Sequence, residues 1–491
     1  MDTVAELRKE KIKEERERYH EANVVIVGAG ILGCAIAVAL GNQGRSVILL
    51  ERDLREPNRI VGELLQPGGV QALEKLGLRD CLEEIDAIKV YGYDVIYYGE
   101  EVRIPYPENA TGEEVAAKDY NQDEMRGTKR KRPEGRSFHH GRFIQRLRQK
   151  AMQQPNVTVI EATANQLVRS WAGKILGVEA TVQGKADAFF GGLTIIADGY
   201  DSKFRKEFRD DKPVVRSKFY GLELIDTKLP MPNHGHVVLG EGAPVLLYQI
   251  GTHETRALVD IPTGLPSASA KNGGAKGHLR NVVLPNLPEQ VRPAFEAALD
   301  KDRLTSMPNS WLRPTTNTAS GFMILGDAMN MRHPLTGGGM TVAFNDVVLL
   351  SDLLSPENVP SLDDHKLVLK QMKTFHWRRK GLTSVINILA QALYSLFAAD
   401  DAQLKALQMG CFGYFQLGGN CIDGPVGLLA GIIRQPFVLF YHFFAVALYA
   451  IWIYIARGNM FLIPLRMVAS VGVFWKACVV IFPYIFSELR S

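Results

Sequence analysis

Apolar and polar positions change their pattern several times along the chain. Over residues 23–78 an apolar strand, a glycine turn, an apolar helix and a second strand follow one another, which predicts a βαβ unit. Over residues 212–263 apolar and polar residues alternate, as in HVVLGE and TRALVDI, which predicts an antiparallel sheet. A glycine-rich strand-to-helix pattern returns over 322–354, and helical periodicity dominates from His376 onward. We therefore expect an α/β protein whose first domain is assembled from two segments that lie far apart in the sequence.

These changes of pattern predict the domain boundaries. We expect a charged helix over residues 1–22, a nucleotide-binding domain over 23–211 and 316–355, a substrate-binding domain over 212–315, a helical tunnel-lining region over 356–436 and anchoring helices over 437–491. Residues 107–137 are charge-rich and contain few large apolar residues, which predicts an exposed insertion. Its basic run Lys129–Arg132 is interpreted as solvated loop charge in preference to a nuclear signal. Asn109 begins a glycosylation triplet, which a cytosolic chain would not expose to the transferase.

The C-terminal part contains the longest apolar stretch. Phe437–Ala456 has twenty residues without a formal charge if His442 is neutral, about the length that spans a bilayer core. A buried core helix is the alternative. The second stretch, Met460–Phe486, is interrupted by two prolines and two basic residues. For this stretch the sequence favours a hairpin that dips into one leaflet over an unbroken span.

Composition and charge narrow the classes of function. The chain carries 57 basic and 53 acidic residues, and no basic stripe interleaved with aromatic residues indicates nucleic-acid binding. Five cysteines are widely spread and lack the short pairs of metal sites, so we expect no metal centre and buried thiols in a reducing compartment: Cys34, Cys81, Cys411, Cys421 and Cys478. The first nineteen residues contain no apolar stretch resembling a signal peptide, so the catalytic part is expected to face the cytosol.

The first strand and helix are joined by the sequence VGAGILG. This places Gly28, Gly30 and Gly33 in the GxGxxG pattern. The first glycine permits a tight turn, the second lets the backbone approach a pyrophosphate, and the third lets helix and strand pack closely. The helix N-terminus then faces the anion. Glu51 ends the next strand, where a carboxylate can accept hydrogen bonds from a ribose diol.

Two further segments indicate which dinucleotide is bound. Asp198 and Gly199 follow one apolar strand, while Gly326 and Asp327 follow another and precede the glycine run 337–339. Each segment alone would be interpreted as a turn. In this order, the three motifs resemble those of the flavoprotein aromatic hydroxylases. The resemblance implies a Rossmann-like FAD-binding domain in which Asp198 and the Gly–Asp segment contact FAD and the glycines, including Gly338 and Gly339, approach the flavin ring.

Longer segments resemble the squalene monooxygenase family, and a fungal member is expected. They are ERDLREPNRIVGELLQPGG, FHHGRF, LGDAMNMRHPLTGGGMTVAF, NILAQALY, GPVGLL and HFFAVALYA. The resemblance implies epoxidation of squalene to (S)-2,3-epoxysqualene by O₂ through an FAD C4a-hydroperoxide, in the synthesis of sterols such as ergosterol. It also implies a C-terminal helical membrane anchor in the endoplasmic reticulum membrane, with lipid droplets as a further location. No second GxGxxG follows a predicted strand, so electrons are expected from outside the chain. The resemblance implies NADPH-cytochrome P450 reductase as their source.

The resemblance also assigns residues. At FAD it places Ile31, Leu32, Glu51, Arg52, Arg59, Arg142, Val157, Asp327 and Met340. Beside the flavin it places Tyr93, with Gln66 as its hydrogen-bonding partner, in a role of orientation. The substrate tunnel is expected to be lined by Tyr93, Leu325, Pro334, Leu393, Phe397, Phe412, Phe415 and His442. From the residues alone, the arginines could be surface charges, Tyr93 a strand aromatic and the tunnel residues plain core. His139 and His140 are candidates for a base, but the implied reaction requires none from the substrate, and a packing role is an equal alternative.

Two other functions stay open at this point. The first is a single-component hydroxylase of another lipid or polyketide. In such an enzyme NADPH would reduce the FAD directly. The second is a non-catalytic FAD-binding escort protein, which would show no turnover. Because the FAD motifs all precede residue 437, removal of 437–491 is expected to release the chain from membranes with FAD still bound.

Overall fold

The computed structural model describes residues 2–108, 121–122, 131–240, 242–301, 304–456 and 463–490. Asn109 and part of the basic run Lys129–Arg132 lie outside the described residues, as does most of the predicted insertion. A charged helix, α1 (Asp2–Arg18), begins the chain as predicted. It is not wholly solvated, because Arg16 is buried and donates hydrogen bonds to Thr158 Oγ1 (3.0 Å) and the Pro155 carbonyl (2.8 Å).

The first sheet is built around parallel strands with fully buried apolar runs. Its strands are β1 (Glu21–Val27), β2 (Val47–Glu51), β10 (Val157–Glu161), β11 (Thr163–Arg169), β12 (Ile175–Val182), β13 (Lys185–Ile196) and β19 (Phe322–Ile324). They lie in the order β10-β2-β1-β13-β12-β11, with β19 also paired to β13. β1 lies parallel to both β2 and β13, so the predicted βαβ unit is confirmed. Unbroken apolar runs such as VVIV are typical of strands that are covered on both faces.

Helices cover this sheet and bring its separated pieces together. They are α2 (Ile31–Asn42), α3 (Pro67–Lys75), α4 (His140–Gln153) and α7 (Gly338–Leu353). α2 packs against both α4 and α7. β19 and α7, about three hundred residues after β1, complete the same core. The carboxyl ends of the parallel strands and the N-termini of α2 and α7 consequently meet at one edge of the sheet, which is where α/β proteins bind ligands.

The second sheet is antiparallel over residues 214–262, as the alternating pattern predicts. Its strands are β5 (Gly92–Tyr97), β6 (Glu100–Pro105), β14 (Val214–Ile225), β15 (Gly235–Leu239), β16 (Val245–Gln249), β17 (Glu254–Pro262) and β18 (Thr305–Trp311). They lie in the order β18-β14-β17-β16-β15-β5-β6. The helices α5 (Gly274–His278) and α6 (Arg292–Lys301) pack on one face. β5 and β6 come from the range assigned to the nucleotide-binding domain, and β5 pairs in parallel with β15.

A small sheet corrects one prediction about the insertion at 107–137. It contains β3 (Leu64–Leu65), β4 (Ile88–Val90) and β9 (Gly135–Ser137), with β9 in the centre. Residues 134–137 are therefore buried and not exposed, because β9 pairs with a strand on each side and Arg136 forms an ion pair with Glu134. A short hairpin, β7 (Asn121–Gln122) and β8 (Lys131–Arg132), lies in the remainder.

In the last part of the chain that the structure describes, the elements are helices: α8 (His365–Phe397), α9 (Ala402–Gln416), α10 (Asn420–Leu429), α11 (Pro436–Ala456) and α12 (Ile463–Arg490). Among the described residues, α11 and α12 are long and apolar enough to cross a membrane, by length and composition. α12 is one continuous helix, so the predicted interruption of the second apolar stretch is wrong. Pro464 is its second residue, where a missing N–H is tolerated, and the helix continues through Pro483.

α11 and α12 each have one buried and one exposed face. Buried side chains such as Val446, Ala450 and Ala477 belong to the core that includes β5 and α9. On the opposite faces, Phe437, Trp452 and Trp475 are 81%, 61% and 69% exposed. The two helices are thus part of the protein core as well as an apolar surface suited to a membrane.

The buried faces change the expectation for a chain that ends at residue 436. Burial of each large aliphatic side chain contributes about 1.5–3 kcal/mol. Leu439, Val446, Ile453 and Ile481 alone would give roughly 6–12 kcal/mol, comparable with the whole stability of a domain. We expect the truncated chain to aggregate or to lose its cooperative thermal unfolding, instead of remaining folded with FAD bound.

A triple variant provides the matched control. Phe437→Ser, Trp452→Ser and Trp475→Ser together remove exposed apolar surface and leave the buried faces intact. This full-length variant should leave the membrane pellet more readily while its unfolding temperature stays within a few degrees of wild type. A truncated chain that is soluble and unfolds at the wild-type temperature would contradict the prediction.

Candidate functional site

A cavity of about 950 Å³ extends from the glycine turn after β1 to one apolar face of the antiparallel sheet. Its polar half is lined by the ends of β1, β2 and β13, and its apolar half by side chains of β15–β18. The volume lies within the range of cofactor and ligand sites. The cavity therefore joins the two sheets at the edge where the topology predicts a ligand.

The glycine turn is required by close backbone contacts. Gly28 has φ +103°, and a Cβ there would lie 2.5 Å from the Ala197 carbonyl oxygen. A Cβ on Gly33 would lie 1.8 Å from the Gly28 carbonyl oxygen. A Cβ on Gly30 would meet no protein atom within 4 Å, yet Gly30 lines the cavity. The first and third glycines thus allow the chain to pack, while the second leaves room for a ligand at the N-terminus of α2.

Glu51 is fixed by the backbone of that turn. Its Oε2 accepts a hydrogen bond from the Ala29 N–H at 2.8 Å and lies 3.5 Å from Nη2 of Arg148. Arg148 is buried and also donates to the carbonyls of Ala29 and Arg55, at 3.0 Å each. The carboxylate is held at the cavity wall, where it can accept further hydrogen bonds. Sequence reasoning missed Arg148, because nothing in the helix HGRFIQRLRQK distinguishes its buried arginine from its exposed ones.

The two Gly–Asp segments are held together by Arg205. Its Nε donates to the Ala328 carbonyl at 2.8 Å, and its Nη2 donates to the Tyr200 carbonyl at 2.8 Å and the Asp327 carbonyl at 3.2 Å. Asp198 lines the cavity, and its buried Oδ1 has no hydrogen-bond partner among the described residues. Burial raises the pKa of the Asp198 carboxyl. An unpaired buried acceptor beside a cavity is suited to a ligand hydroxyl. Arg205 was also missed by sequence reasoning.

Tyr93 and Gln66 meet in a buried hydrogen-bond chain. The Gln66 side chain donates from Nε2 to Tyr93 Oη and to the Thr336 carbonyl (2.8 Å), and its Oε1 accepts from Tyr106 Oη (2.8 Å). Burial raises the pKa of Tyr93 to about 12, so its phenol stays protonated. Tyr93 lines the cavity, whereas Gln66 lies behind it at the start of α3. The amide therefore fixes the phenol at the boundary between the polar and apolar halves.

The structure brings most of the predicted cofactor residues to one cavity. Those that line it are Gly28, Gly30, Ile31, Leu32, Glu51, Arg52, Arg59, Asp198, Gly326, Asp327, Gly339 and Met340. A Cβ on Gly339, as on Gly30, would meet no protein atom within 4 Å. Open glycines, an anion-binding helix N-terminus and acceptors for hydroxyl groups fit an extended dinucleotide such as FAD. The described residues contain no cluster of metal-binding side chains.

Four predicted cofactor residues lie elsewhere. Gly33 packs within the glycine turn, and Arg142 has its Nη1 at 3.9 Å from Asp86 Oδ2, outside the cavity lining. Val157 lies on β10 against the end of α2, where a Cβ on Gly41 would approach it to 3.0 Å. A Cβ on Gly338 would lie 2.5 Å from Ile386 Cγ2, so this glycine is needed for packing on α8.

Some of the predicted tunnel residues line the cavity, and the others lie outside its lining. Leu325 and Pro334 line the cavity together with Tyr93. Other residues belong to the apolar core beside it, namely Leu393, Phe397, Phe412 and Phe415. His442 is buried on α11, with Nδ1 at 3.0 Å from Tyr414 Oη. The apolar wall contains residues that sequence reasoning missed: Val237, Leu246, Tyr248, Leu258 and Met307.

One charged pair lies in this largely apolar wall. Glu63 is 1% exposed and accepts hydrogen bonds from Arg256 Nε at 2.8 Å and Nη2 at 2.9 Å. Tyr248 Oη also donates to it, at 3.3 Å. Burial raises the pKa of the Glu63 carboxyl, and the forked Arg256 opposes that effect. Because each charge is paired, the wall of the cavity carries no net charge at this point.

The chain is similar to known proteins over most of its length. A family model described as squalene epoxidase matches residues 190–468. Squalene epoxidase erg1 of Aspergillus fumigatus is 61% identical over 475 residues, covering 96% of this chain and 95% of that protein. Squalene epoxidase ERG1 of Gibberella zeae is 55% identical over 487 residues, covering 96% and 97%.

A solved structure supports the architecture independently. It is that of pqsL, a probable FAD-dependent monooxygenase from Pseudomonas aeruginosa. The likeness has a TM-score of 0.62 at 21% identity, over 77% of this chain and 97% of that chain. The predicted fold class is thereby confirmed.

His140 gives a prediction about pH. It is buried, its Nδ1 lies 2.8 Å from the Gly62 carbonyl, and burial lowers its pKa to about 4. The unfolded chain therefore binds a proton near pH 6.5 that the folded chain does not, and stability should fall as pH drops from about 6.5 to 4. This histidine should account for about 3 kcal/mol of that loss.

His140→Asn tests this assignment, because the amide can still donate to Gly62 and does not titrate. Urea titrations of the detergent-solubilised chain at pH 7.5 and pH 4.5 should show a smaller loss of stability in the variant. His236, whose pKa burial also lowers to about 4, is unchanged and keeps part of the loss in both proteins. An identical loss in the two proteins would exclude His140 as a source.

Proposed function

The chain belongs to the squalene epoxidase family, and on that premise we propose that it is an FAD-dependent squalene monooxygenase acting in sterol synthesis. The reaction converts squalene, O₂, two electrons and two protons to (S)-2,3-epoxysqualene and water. One observation carries the assignment within this chain: a single cavity joins a dinucleotide-binding turn to an apolar sheet face, with Tyr93 at the boundary. The two reactants therefore meet where polar binding gives way to apolar binding.

FAD, when bound, supplies the chemistry that activates O₂ for the transfer of one of its two oxygen atoms. The turn at Gly28–Gly33 and the N-terminus of α2 would bind its pyrophosphate. Glu51 would accept hydrogen bonds from the adenosine ribose, and Asp198 and Asp327 from hydroxyl groups along the cofactor. Two arginines would act indirectly: Arg205 fixes the backbone at Asp327, and Arg148 fixes the turn at Ala29, whose N–H binds Glu51.

The apolar half would hold the hydrocarbon and exclude water. Squalene offers no polar handle, so its binding depends on apolar contact area with side chains such as Leu246, Leu258 and Met307. A wall in which Glu63 is fully paired avoids an uncompensated charge beside the hydrocarbon. Tyr93, held by Gln66, would set the position of the alkene relative to the cofactor.

We further propose that electrons come from NADPH-cytochrome P450 reductase at the endoplasmic reticulum membrane, with the catalytic part on the cytosolic side. The sequence contains one GxGxxG turn after a strand, and that turn opens into the cavity proposed for FAD, which favours an electron donor outside the chain. The exposed apolar faces of α11 and α12 support attachment to a membrane. Lipid droplets, bounded by a lipid monolayer, offer a similar surface.

Reconstitution tests the function. Purified full-length protein should form 2,3-oxidosqualene from squalene, O₂, FAD and NADPH when the reductase is present and almost none when it is absent. Rapid flavin reduction by NADPH alone would favour the single-component hydroxylase. A protein that retains FAD and forms no epoxide with active reductase would favour the non-catalytic alternative.

Glu51→Ala and Asp327→Ala should each weaken FAD binding. Loss of a charged hydrogen-bonding partner at the cofactor should cost about 1–3 kcal/mol, or roughly 5- to 150-fold in Kd. Flavin fluorescence titration of the stripped protein measures the effect. Glu161→Ala is a suitable control, because this carboxylate lies at the end of β10 outside the cavity lining. Normal flavin content in both site variants would contradict the assignment.

Tyr93→Phe separates orientation from packing. The change removes the hydroxyl and keeps nearly all of the ring volume, so flavin content and thermal stability should stay near wild type. Misplacement of reactants by about 1 Å can lower the rate on the order of a hundredfold, so epoxide formation should fall strongly at saturating reductase.

Gln66→Ala should give a similar loss of turnover. The double variant should be little worse than either single variant if the two residues act as a unit. Wild-type turnover in Tyr93→Phe would reduce Tyr93 to an ordinary wall residue.

A further inference from the structure

A buried carboxylate lies near the end of α12, the second of the apolar helices. Glu488 is 7% exposed. Its Oε1 accepts a hydrogen bond from Asn387 Nδ2 at 2.7 Å, and its Oε2 accepts one from Ser384 Oγ at 2.9 Å. The Glu488 backbone carbonyl accepts another from Lys380 Nζ at 2.6 Å. All three donors are on α8, so the last turns of α12 are joined to α8 by polar contacts.

Asn387 also contacts an arginine of the cofactor cavity. Its Oδ1 accepts a hydrogen bond from Arg332 Nε at 2.8 Å. Arg332 lines the cavity and is buried, and its Nη2 donates to Asn330 Oδ1 at 2.7 Å and to the Asn330 carbonyl at 3.2 Å. A continuous series of hydrogen bonds therefore leads from Glu488 through Asn387 to the guanidinium of Arg332.

The third nitrogen of Arg332 is available to a ligand. Nε and Nη2 donate to the two asparagines, and no hydrogen bond to a described residue comes from Nη1. Arg379, which also lines the cavity, differs in this respect. Its Nε and Nη2 are both bound by the Asp346 carboxylate, at 2.9 Å and 2.6 Å. Arg332 is held in place by neutral amides, so its positive charge is not neutralised by direct contact.

The charge of Arg332 is balanced at longer range. Asp327, Asp346 and Glu488 are the acidic groups that act on the guanidinium, and Arg379 opposes them. Asp327 belongs to the predicted FAD set and lines the same cavity. Packing of α12 alone does not require a buried carboxylate, since apolar residues of the same size would avoid the desolvation penalty. Glu488 acts on Lys380 and, through Asn387, on Arg332.

We infer that Arg332 is a further cofactor-binding residue, which donates from Nη1 to an oxygen of FAD, and that Glu488 is a positioning residue that acts on it through Asn387. The inference rests on the proposed binding of FAD. The end of α12 is then part of the cofactor site, although it belongs to a helix with an exposed apolar face. Seating of α12 on α8 and retention of FAD become coupled properties.

The test measures the Kd of FAD by flavin fluorescence, using full-length protein stripped of flavin in detergent. Arg332→Met should raise the Kd about tenfold or more, because a charge-assisted hydrogen bond is lost. Glu488→Leu should also raise it about tenfold. Glu488→Gln should raise it only about threefold, because the amide oxygen can still accept from Asn387. In the double variant Arg332→Met and Glu488→Leu, the Kd should match that of Arg332→Met alone.

A second buried residue of α12 separates positioning from stability. Ile481 is fully buried in apolar contacts, so Ile481→Ala should lower the unfolding temperature and leave the Kd of FAD unchanged. Leu489→Ala, at an exposed neighbouring position, should change neither quantity. An equal rise in Kd for Ile481→Ala and Glu488→Leu would overturn the positioning role.

Other outcomes are equally decisive. If Arg332→Met binds FAD with the wild-type Kd, Arg332 is not a cofactor-binding residue. If both Glu488 variants bind FAD with the wild-type Kd, Glu488 does not position Arg332. Should Glu488→Leu fail to fold, Glu488→Gln decides alone, and a Kd equal to wild type overturns the proposal. Wild-type protein that binds no FAD would instead refute the proposed function before any variant is compared.

Discussion

The contact between the turn after β1 and the end of β13 is the constraint on which the rest of the site depends. A Cβ on Gly28 would lie 2.5 Å from the Ala197 carbonyl, and one on Gly33 would lie 1.8 Å from the Gly28 carbonyl. Only glycine allows the two chain segments and α2 to come this close. That approach puts Asp198 beside the helix N-terminus and brings the Ala29 N–H to Glu51. Polar residues from distant parts of the sequence thereby share one cavity.

Two buried carboxylates near this cavity form ion pairs with arginines. Glu63 with Arg256, and Asp346 with Arg379, form forked ion pairs in which each carboxylate is neutralised by direct contact. Such pairs avoid the large penalty of an isolated buried charge without adding much net stability. As a result, these two ion pairs leave no uncompensated charge in the cavity wall, which suits a hydrocarbon ligand. Arg148 and Arg205 differ, because they bind mainly backbone carbonyls and so fix the shape of the cavity.

Sequence reasoning succeeds where the structure depends on neighbouring residues. The glycine turn, α2 and Glu51 lie within thirty residues of one another, and local spacing is enough to predict their arrangement. It fails where the partner is remote. Arg205 and Arg256 acquire their roles from Ala328 and Glu63, and an arginine that will be buried has the same appearance in sequence as one that will be solvated.

The apolar helices show the same limit. Phe397 and Phe412 were expected at the substrate, and they lie in the core beside the cavity, because periodicity identifies a buried face without identifying what covers it. Pro464 suggested a break, but its effect depends on its position within the helix, and the second residue tolerates it. The extent of a helix is fixed by its ends, which the apolar pattern alone does not give.

The pairing of β5 with β15 has a consequence for how such a protein can be changed. The chain enters the second sheet at Gly92, returns to the first at Val157, and enters the second again at Val214. Strand partners about 140 residues apart must meet before either sheet is complete, which favours slow folding and strong mutual dependence. Neither sheet is formed by one contiguous segment, so recombination could not transfer either sheet as a unit. New substrates are more readily reached by replacing side chains on the apolar face than by exchanging the unit that carries it.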